Sequence, residues 1–284
     1  MLAVSTEASS RVLRNPLDVL RCGWRDRRLI LRLAGREVAA RYRGSLLGWF
    51  WALLVPLLNL AVFTFVFSVV FPGRWGFEVE NTGQFALVLF SGMIVFNIFN
   101  ECFTRAPRLL LENVSYIKKV VFPLECLAWV SLLVALFNAL VASAAFVLGY
   151  VLLLGAPPLS ALLWPLVLAP LLLLTLGLVW FLSALGVYVR DVAQFIPVLT
   201  TVLFYLTPIL FPLERLRDAV HPTVYAALAL NPLAVAVESS RCVLFGGAAP
   251  DWPTLAGHTL AAWAIAWLGY MWFAKTRKGF ADVC

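Results

Sequence analysis

Residues 112–123 read ENVSYIKKVVFP, a polar and basic segment that separates two long apolar runs of the chain. The surrounding composition is too apolar for a soluble domain. Of 284 residues, 62% are hydrophobic and 13% are charged, and the mean hydropathy is +0.91. Soluble domains of this length carry about a quarter charged residues. The sequence therefore predicts an integral membrane protein in which residues 112–123 connect two spans.

Six apolar segments are long enough to cross a bilayer as helices, which takes about 20 residues. They cover about 46–71, 84–104, 124–154, 159–188, 193–212 and 256–274. We therefore expect an all-α membrane protein with six transmembrane helices per protomer. The predicted parts are an amino-terminal region, a transmembrane domain and a tail, at 1–45, 46–274 and 275–284.

The uneven distribution of basic residues orients these spans. Six spans place both termini on the same side of the membrane. With cytoplasmic termini, 18 of the 22 Lys and Arg residues fall in the inner segments 1–45, 105–123, 189–192 and 275–284. Because cytoplasmic loops are enriched in Lys and Arg, we expect both termini in the cytoplasm. The same clustering argues against nucleic acid as the reason for the net charge of +7. The first 28 residues lack an apolar core, so no cleavable signal is predicted.

In this orientation the ENVSYIKKVVFP segment is cytoplasmic. It is either a charged connector or a docking helix for a soluble partner, and composition alone does not separate the two. Pro123 and Glu125 suit the first turn of the next span, where proline needs no N–H and a carboxylate faces the positive end of the helix dipole.

Residues 25–43, RDRRLILRLAGREVAARYR, form an amphipathic helix when projected at 100° per residue. One face, about 80° wide, carries Arg25, Arg28, Arg32, Arg36 and Arg43. The opposite face carries Ile30, Leu31, Ala34, Val38 and Tyr42. This pattern predicts an interface helix in the inner headgroup layer, with its arginines toward phosphates and its apolar face toward acyl chains. The residues leave open whether it only anchors the chain or also contacts an anionic substrate.

The predicted outer segment, 213–255, contains the helix signature NPLAVAVESSRCVLFGG. Asn231 suits the N-cap, Pro232 the first helical position, and Gly246–Gly247 the carboxyl-terminal end. About 14 helical residues reach only ~21 Å, short of the ~30 Å hydrocarbon core. We therefore expect a half-buried or re-entrant helix, in which Glu238 and Arg241 pair at a spacing of three.

Motifs for covalent chemistry are missing from the sequence. It has no P-loop, no HExxH or GxSxG, and no convergent carboxylate pair. The five cysteines are scattered without metal-ligand spacing, so free thiols are predicted. We therefore expect no enzyme activity and no cofactor in this chain.

The polar residues within the predicted spans are few. Those interpreted as interhelical hydrogen-bonding groups are Asn59, Asn97, Asn100 and Asn138. Glu101 and Arg105, four residues apart, are interpreted as a structural ion pair. Ion-coupled carriers normally place ionisable groups at mid-membrane, and none is found there. Energy for transport is therefore expected from a separate ATPase.

Five blocks carry a resemblance to a known family. They are RYRGSLLGWFWALLVPLLN (41–59), IKKVVFPLE (117–125), VRDVAQFIPVLTTVLFYLTPILFP (189–212), NPLAVAVESSR (231–241) and KGFADVC (278–284). In this order they resemble the ABC-2 membrane family, the permeases of exporters for bacterial surface polysaccharides. The resemblance covers nearly the whole chain.

The resemblance implies a homodimeric permease in the bacterial inner membrane with two nucleotide-binding subunits, which bind ATP and magnesium. The loop around 105–122 would then hold the coupling helix that docks on the ATPase. The implied contacts are Glu112, Tyr116, Ile117, Lys118 and Lys119. The arginine-rich helix resembles the interface helix of the family. The helix with Asn231, Pro232, Glu238 and Arg241 resembles its periplasmic re-entrant elements, which are proposed to form the exit gate.

The family moves glycans carried on undecaprenyl diphosphate. Arg36, Arg41 and Arg43 are therefore candidate contacts for an anionic headgroup. Because sugars stack on aromatic rings, the candidate channel aromatics are Trp49, Trp51, Trp263, Trp267 and Tyr270.

The expected function is export of an O-antigen-like, lipid-linked polysaccharide. One alternative is a permease of the same superfamily that exports a drug, an antibiotic or a lipo-oligosaccharide through a smaller, apolar, lateral path. Another is a membrane enzyme acting on lipid-linked sugars, which would need a catalytic carboxylate or metal cluster in a loop.

Overall fold

The computed structural model of the chain describes residues 15–43, 50–66, 82–117, 122–217 and 219–280. The regular secondary structure of these residues is entirely helical. The α-helices are α1 (Asp18–Arg25), α2 (Arg27–Tyr42), α3 (Phe50–Phe65), α4 (Thr82–Arg105), α5 (Val114–Ile117), α6 (Cys126–Leu154), α7 (Trp164–Tyr188), α8 (Val192–Leu206), α9 (Leu213–Leu216), α10 (Pro222–Ala229), α11 (Pro232–Phe245) and α12 (Trp252–Thr276). Short 3-10 turns lie at Ala106–Arg108, Leu111–Asn113, Leu159–Leu163 and Arg277–Gly279.

Three helical segments of the described chain are both long and apolar enough to cross a membrane: Gly83–Arg108, Cys126–Leu154 and Leu159–Tyr188. The bent pair α10–α11 brings the number to four if it is counted as one broken span. The predicted count of six is therefore not confirmed. Helices α3 and α8 are apolar but have 16 and 15 residues, or roughly 24 and 22 Å. Helix α12 has 25 residues but is less apolar.

Helices α7 and α12 pack closely against each other. A Cβ atom at Gly177 would lie 2.6 Å from the Cα of Ala266, and one at Gly269 would overlap the carbonyl oxygen of Gly177. Small residues let helix backbones approach, which is a common way to pack helices in membranes. The fully buried Trp180 lies beside this crossing, and its ring meets that of Tyr270 edge to face at 5.2 Å.

Helix α2 packs along the first turns of α6, and the two helices run in the same direction. Just before its start, Arg25 at the end of α1 lies 3.6 Å from Glu125. At its end Arg41 shares the carboxylate of Glu101 with Asn138 of α6. The buried residues between the two helices are Ile30, Ala34, Val38, Cys126, Val130 and Val134.

This packing corrects one prediction about the arginine-rich helix. Its apolar residues Ile30, Ala34 and Val38 contact α6 instead of acyl chains. Leu31 takes no part in this contact and is 61% exposed. The sequence pattern identified the buried face but not its partner, because a protein helix and a lipid surface select the same apolar residues.

The start of α6 differs slightly from the prediction. The helix begins at Cys126, so Glu125 is its N-cap residue and Pro123 precedes it. The Glu125 carboxylate accepts a hydrogen bond from Arg277 at 2.9 Å, and Arg277 also donates to the carbonyl of Phe122 at 2.9 Å. These bonds hold residues 122–125 against the end of α12.

The four described cysteines are free thiols, as predicted. Cys22 of α1 is buried and donates to the carbonyl of Val19 at 3.1 Å. Its burial raises the pKa of the thiol to about 11. Cys284 lies outside the described residues.

Candidate transport site

The 106–117 loop folds as two 3-10 turns followed by the single turn of α5. It sits tightly on the end of α7, because a Cβ atom at Gly186 would overlap the carbonyl oxygen of Pro107. Leu110 of this loop is fully buried. The loop is therefore a fixed part of the bundle.

The same loop is bonded to α2. The Tyr116 hydroxyl accepts a hydrogen bond from Arg36, and the Tyr116 ring stacks on Phe122 with centroids 4.4 Å apart. The Arg105 guanidinium forms ion pairs with Glu37 of α2 and, at 3.1 Å, with Glu112 of the loop. Arg105 thus joins α4, α2 and the loop at one point.

These bonds correct the predicted ion pair between Glu101 and Arg105. The Glu101 carboxylate instead accepts hydrogen bonds from Arg41 at 2.7 Å and from Asn138 at 2.7 and 2.9 Å. The i, i+4 spacing is compatible with a pair, but α2 supplies partners for both charged groups, and a sequence pattern within α4 cannot indicate them.

The predicted ATPase contacts occupy different environments. Glu112 is exposed, Tyr116 is partly buried, and Ile117 belongs to the buried core. Because Ile117 is only 9% exposed, the protomer itself covers the side chain that was predicted to contact a partner. Lys118 and Lys119 lie outside the described residues. Two exposed loop residues that the sequence did not single out are Arg108 and Ser115.

The predicted headgroup arginines lie at the end of α2, and their side chains are exposed. Arg36 and Arg41 carry the bonds to Tyr116 and Glu101 given above. Arg43 follows the helix as its C-cap residue.

Helices α10 and α11 meet at an angle of 75°. The signals read from the sequence are confirmed in α11: the Asn231 side chain accepts a hydrogen bond from the N–H of Leu233 at 3.0 Å, and Pro232 occupies the first helical position. Gly246 is the C-cap residue, and Gly247 follows with a φ of 61°, which suits glycine.

The predicted pair between Glu238 and Arg241 is confirmed, with a distance of 3.0 Å. Arg241 also donates to the carbonyl oxygens of Pro208 at 2.7 Å and Ile209 at 2.6 Å. Its side chain is 8% exposed. This one guanidinium therefore fixes the bent α10–α11 element to the segment that follows α8.

Two neighbouring cavities lie along α4. The first, about 310 Å³, is bounded by α3, α4 and α6, and its polar lining residues are Asn59, Asn97, Asn100, Glu101 and Asn138. The second, about 370 Å³, lies between α4 and α8, and its polar lining residues are Asn97, Asn100, Thr104, Thr200, Thr201 and Tyr205. Asn97 and Asn100 border both cavities.

The predicted channel aromatics are dispersed. Trp51 is exposed on α3, while Trp263 and Trp267 are partly buried on α12. Tyr270 is buried in the protomer core, so it does not face a channel. Trp49 lies outside the described residues. The aromatic residues at the second cavity are Phe96, Phe204 and Tyr205, which the sequence analysis did not select.

Comparison with known families agrees with this architecture. The model of the ABC-2 type transporter family matches residues 28–245. The chain belongs to the ABC-2 type transporter family. This confirms the resemblance read from the sequence and makes the chain a transporter membrane subunit.

Curated relatives of this ABC-2 transporter match it over most of its length. The O-antigen export system permease protein RfbA of Myxococcus xanthus is 28% identical over 261 residues, which cover 90% of this chain and 95% of the relative. Two proteins of the same name from Klebsiella pneumoniae are 22% and 24% identical. They cover 90% and 77% of this chain, and 94% and 81% of their own lengths.

Proposed function

We propose that this ABC-2 transporter is the membrane permease of an ATP-driven exporter that moves a lipid-linked polysaccharide across the bacterial inner membrane. The observation that carries the proposal is the nearly full-length match to permeases named for O-antigen export. Because the match extends over most of the chain, the protein as a whole, and not a single segment of it, resembles these export permeases.

The cavities along α4 support a hydrophilic cargo. An exporter of apolar drugs requires an apolar path, whereas the first cavity has four asparagines and one glutamate in its lining. Polar groups are costly inside a membrane and are kept there when they pair with each other or with a substrate. Nine of the fourteen lining residues are apolar, and the five polar ones favour a glycan, which presents both hydroxyl groups and C–H faces, over a purely apolar drug.

In this proposal a separate ATPase supplies the energy, and two copies of it bind a permease homodimer. The 106–117 loop is the docking element, with Arg108, Glu112 and Ser115 presented to the partner. Lys118 and Lys119 follow directly in the sequence and complete the proposed contact. ATP and magnesium bind to the partner, and this chain performs no covalent chemistry.

The contacts of the loop suggest how force is transmitted. A push on the loop reaches α7 through Pro107 and Gly186, and reaches α2 through Arg105 and Glu37. Because these contacts are close or ionic, α2, α7 and the loop would move as one body. We propose that this motion opens a path at the dimer interface.

The lipid carrier is proposed to be undecaprenyl diphosphate. Its anionic headgroup would contact Arg43, whose side chain is exposed, together with Arg36 and Arg41. Guanidinium groups bind phosphates in bidentate geometry, so this end of α2 suits a diphosphate. In the proposed orientation, with the arginine-rich helix α2 on the cytoplasmic side, both chain termini are cytoplasmic. The α10–α11 element then lies on the periplasmic side and forms an exit gate.

The proposal is tested by deleting the gene in its host and analysing the cell envelope. We expect surface glycan to disappear while glycan on its lipid carrier accumulates at the cytoplasmic face. Loss of glycan synthesis without such accumulation would point to an enzyme instead. Purification in mild detergent should return an ABC ATPase, and a permease that never co-purifies with one contradicts the coupling mechanism.

A further inference from the structure

The asparagines around the first cavity fall into two groups. Asn138 donates to both oxygens of the Glu101 carboxylate, and the amide oxygen of Asn100 accepts a hydrogen bond from Thr104 at 3.0 Å, so these two amides have partners within the protein. By contrast, neither Asn59 nor Asn97 has a hydrogen-bond partner among the described residues, although both line the cavity. Both side chains are exposed in the protomer, on helices that are otherwise apolar. Because a polar side chain facing lipid is unfavourable, and polar groups at membrane depth mark substrate paths, these two amides indicate a polar ligand.

Four residues of α4 that line the second cavity form a stripe, and all of them except Met93 are polar. Met93, Asn97, Asn100 and Thr104 have spacings of four, three and four, so they share one helix face. This stripe rises by roughly 16 Å at 1.5 Å per residue. It separates the two cavities, so a ligand on either side of α4 meets the same amides.

The chemistry of an amide narrows the class of ligand. A carboxamide presents donors and an acceptor side by side, which is the complement of a hydroxyl group that both donates and accepts. Metal ions of the hard class prefer carboxylate ligands, and an apolar molecule leaves the amides unpaired. A molecule with many hydroxyl groups satisfies both amides.

The second cavity adds an aromatic surface to these amides. Tyr205 is 66% exposed beside it, and its ring lies 5.4 Å from that of Phe204. A pyranose ring has hydroxyl groups at its edge and C–H groups on its face, so it can contact amides and aromatic rings together.

We propose that Asn59, Asn97 and Asn100 form a hydroxyl-binding site for the sugar units of the transported glycan. The inference rests on the proposed function and specifies which residues replace water around the glycan within the bundle. Tyr205 provides the stacking surface on the other side of α4.

The test uses the full-length permease with its ATPase, expressed in a host strain that lacks its own copy. In the double variant Asn59→Leu and Asn97→Leu, the side-chain volume is nearly kept and the amides are removed. One neutral hydrogen bond strengthens binding by a factor of about 5. The double variant loses at least two such bonds to the glycan, so the rate at which glycan reaches the surface should fall at least 10-fold. Asn97→Gln keeps the amide and should recover part of the rate.

The matched control is the double variant Thr64→Val and Ser143→Ala on α3 and α6. Both hydroxyls already donate to carbonyls of their own helices, at 2.8 and 2.6 Å. This control should export within about 2-fold of the unmodified protein, since these bonds contribute about 1 kcal/mol or less. If the Asn59/Asn97 variant exports at the same rate as the control, the inference is wrong. If the unmodified permease itself fails to restore surface glycan, the proposed function fails instead.

A second measurement covers the case in which the leucine variant does not fold. Asn97→Cys in a chain without its native cysteines is labelled in membranes with a small, charged thiosulfonate. We expect slower labelling in cells that produce the lipid-linked glycan than in cells blocked in its synthesis. Equal labelling in both would show that the glycan does not cover Asn97 and would overturn the inference.

Discussion

Replacement of Arg241 by methionine should strongly destabilise the protein. The guanidinium is 8% exposed and forms three bonds, to Pro208, Ile209 and Glu238, at 2.6–3.0 Å. Methionine has a similar length and keeps the packing, so the variant isolates the loss of these bonds. It leaves two carbonyl oxygens and a carboxylate without this donor.

The magnitude follows from these contacts. Hydrogen bonds to a charged group contribute about 1.5–3 kcal/mol each, and breaking a buried ionic cluster typically costs 3–5 kcal/mol. We therefore expect the substitution to lower the free energy of unfolding by about 4 kcal/mol. For a chain of this size, 1 kcal/mol corresponds to about 2–4 °C, so the unfolding temperature in detergent should fall by about 10 °C.

The assay is thermal unfolding of the purified permease, with Glu238→Gln and Arg241→Lys as comparisons. Glu238 is more exposed, at 35%, so its variant should cost about 1 kcal/mol. Lysine carries a single ammonium instead of a fork and should not restore both carbonyl bonds. An Arg241→Met protein that unfolds within 3 °C of the unmodified permease would refute this reasoning.

Three further predictions concern other parts of the bundle. Gly269→Leu should lower the free energy of unfolding by about 1–3 kcal/mol, because its side chain would meet the backbone of α7. Gly257→Ala, at an open position inside α12, should instead raise it by about 0.5–1 kcal/mol, because alanine favours the helix; both are read from unfolding curves. Arg105→Gln should keep the ATPase bound in a pull-down but reduce export about 10-fold, because it removes two ionic contacts of roughly 0.7 kcal/mol each; normal export would contradict the proposed force path. Cys22, with a pKa of about 11 against an ordinary 9.0, should be alkylated about 100-fold more slowly at pH 8 than a free cysteine, as peptide mass spectrometry can measure. The folded state holds this proton more tightly, so its contribution to stability should be lost as the pH rises from about 9 to 11.

The most predictable parts of this fold were those set by local sequence. Helix α11 has the bounds indicated by Asn231, Pro232 and Gly246, and its internal ion pair has the expected spacing. Capping and i, i+3 pairing involve neighbours in the sequence, so the chain itself specifies them. The long apolar runs of α4, α6 and α7 were found for the same reason.

Contacts between distant segments were not predictable. The α2 partners of Glu101 and Arg105, which are Arg41 and Glu37, lie 60 and 68 positions earlier in the chain. Likewise, Tyr270 shares a helix face with Trp267, but only the packing of α7 shows that its ring is buried. Periodicity identifies a face and leaves its partner undetermined.

The asparagines show where sequence reasoning could have gone further. All four were interpreted as interhelical hydrogen-bonding groups, and this holds for Asn138, which binds Glu101. Asn97 and Asn100 also align with Thr104 on one face of α4. A polar stripe along an otherwise apolar helix predicts that this face borders a water-filled cavity or a polar partner. That signal was present in the sequence, but a stripe alone does not distinguish a helix contact from a cavity.

The arrangement of charged and neutral polar groups along α4 suits transport of a long polysaccharide that carries many hydroxyl groups. The ionic residues Glu101 and Arg105 are held at one end by partners on α2 and in the loop. The neutral amide of Asn97 lies further along α4 and that of Asn59 lies on the neighbouring α3, and neither has a hydrogen-bond partner among the described residues. A neutral amide binds a hydroxyl by roughly 1 kcal/mol net, whereas a charged partner binds by about twice as much. In the proposed mechanism, weak and exchangeable contacts would allow successive sugars to advance, while the ionic groups at the end of α4 would keep α2, α4 and the loop together.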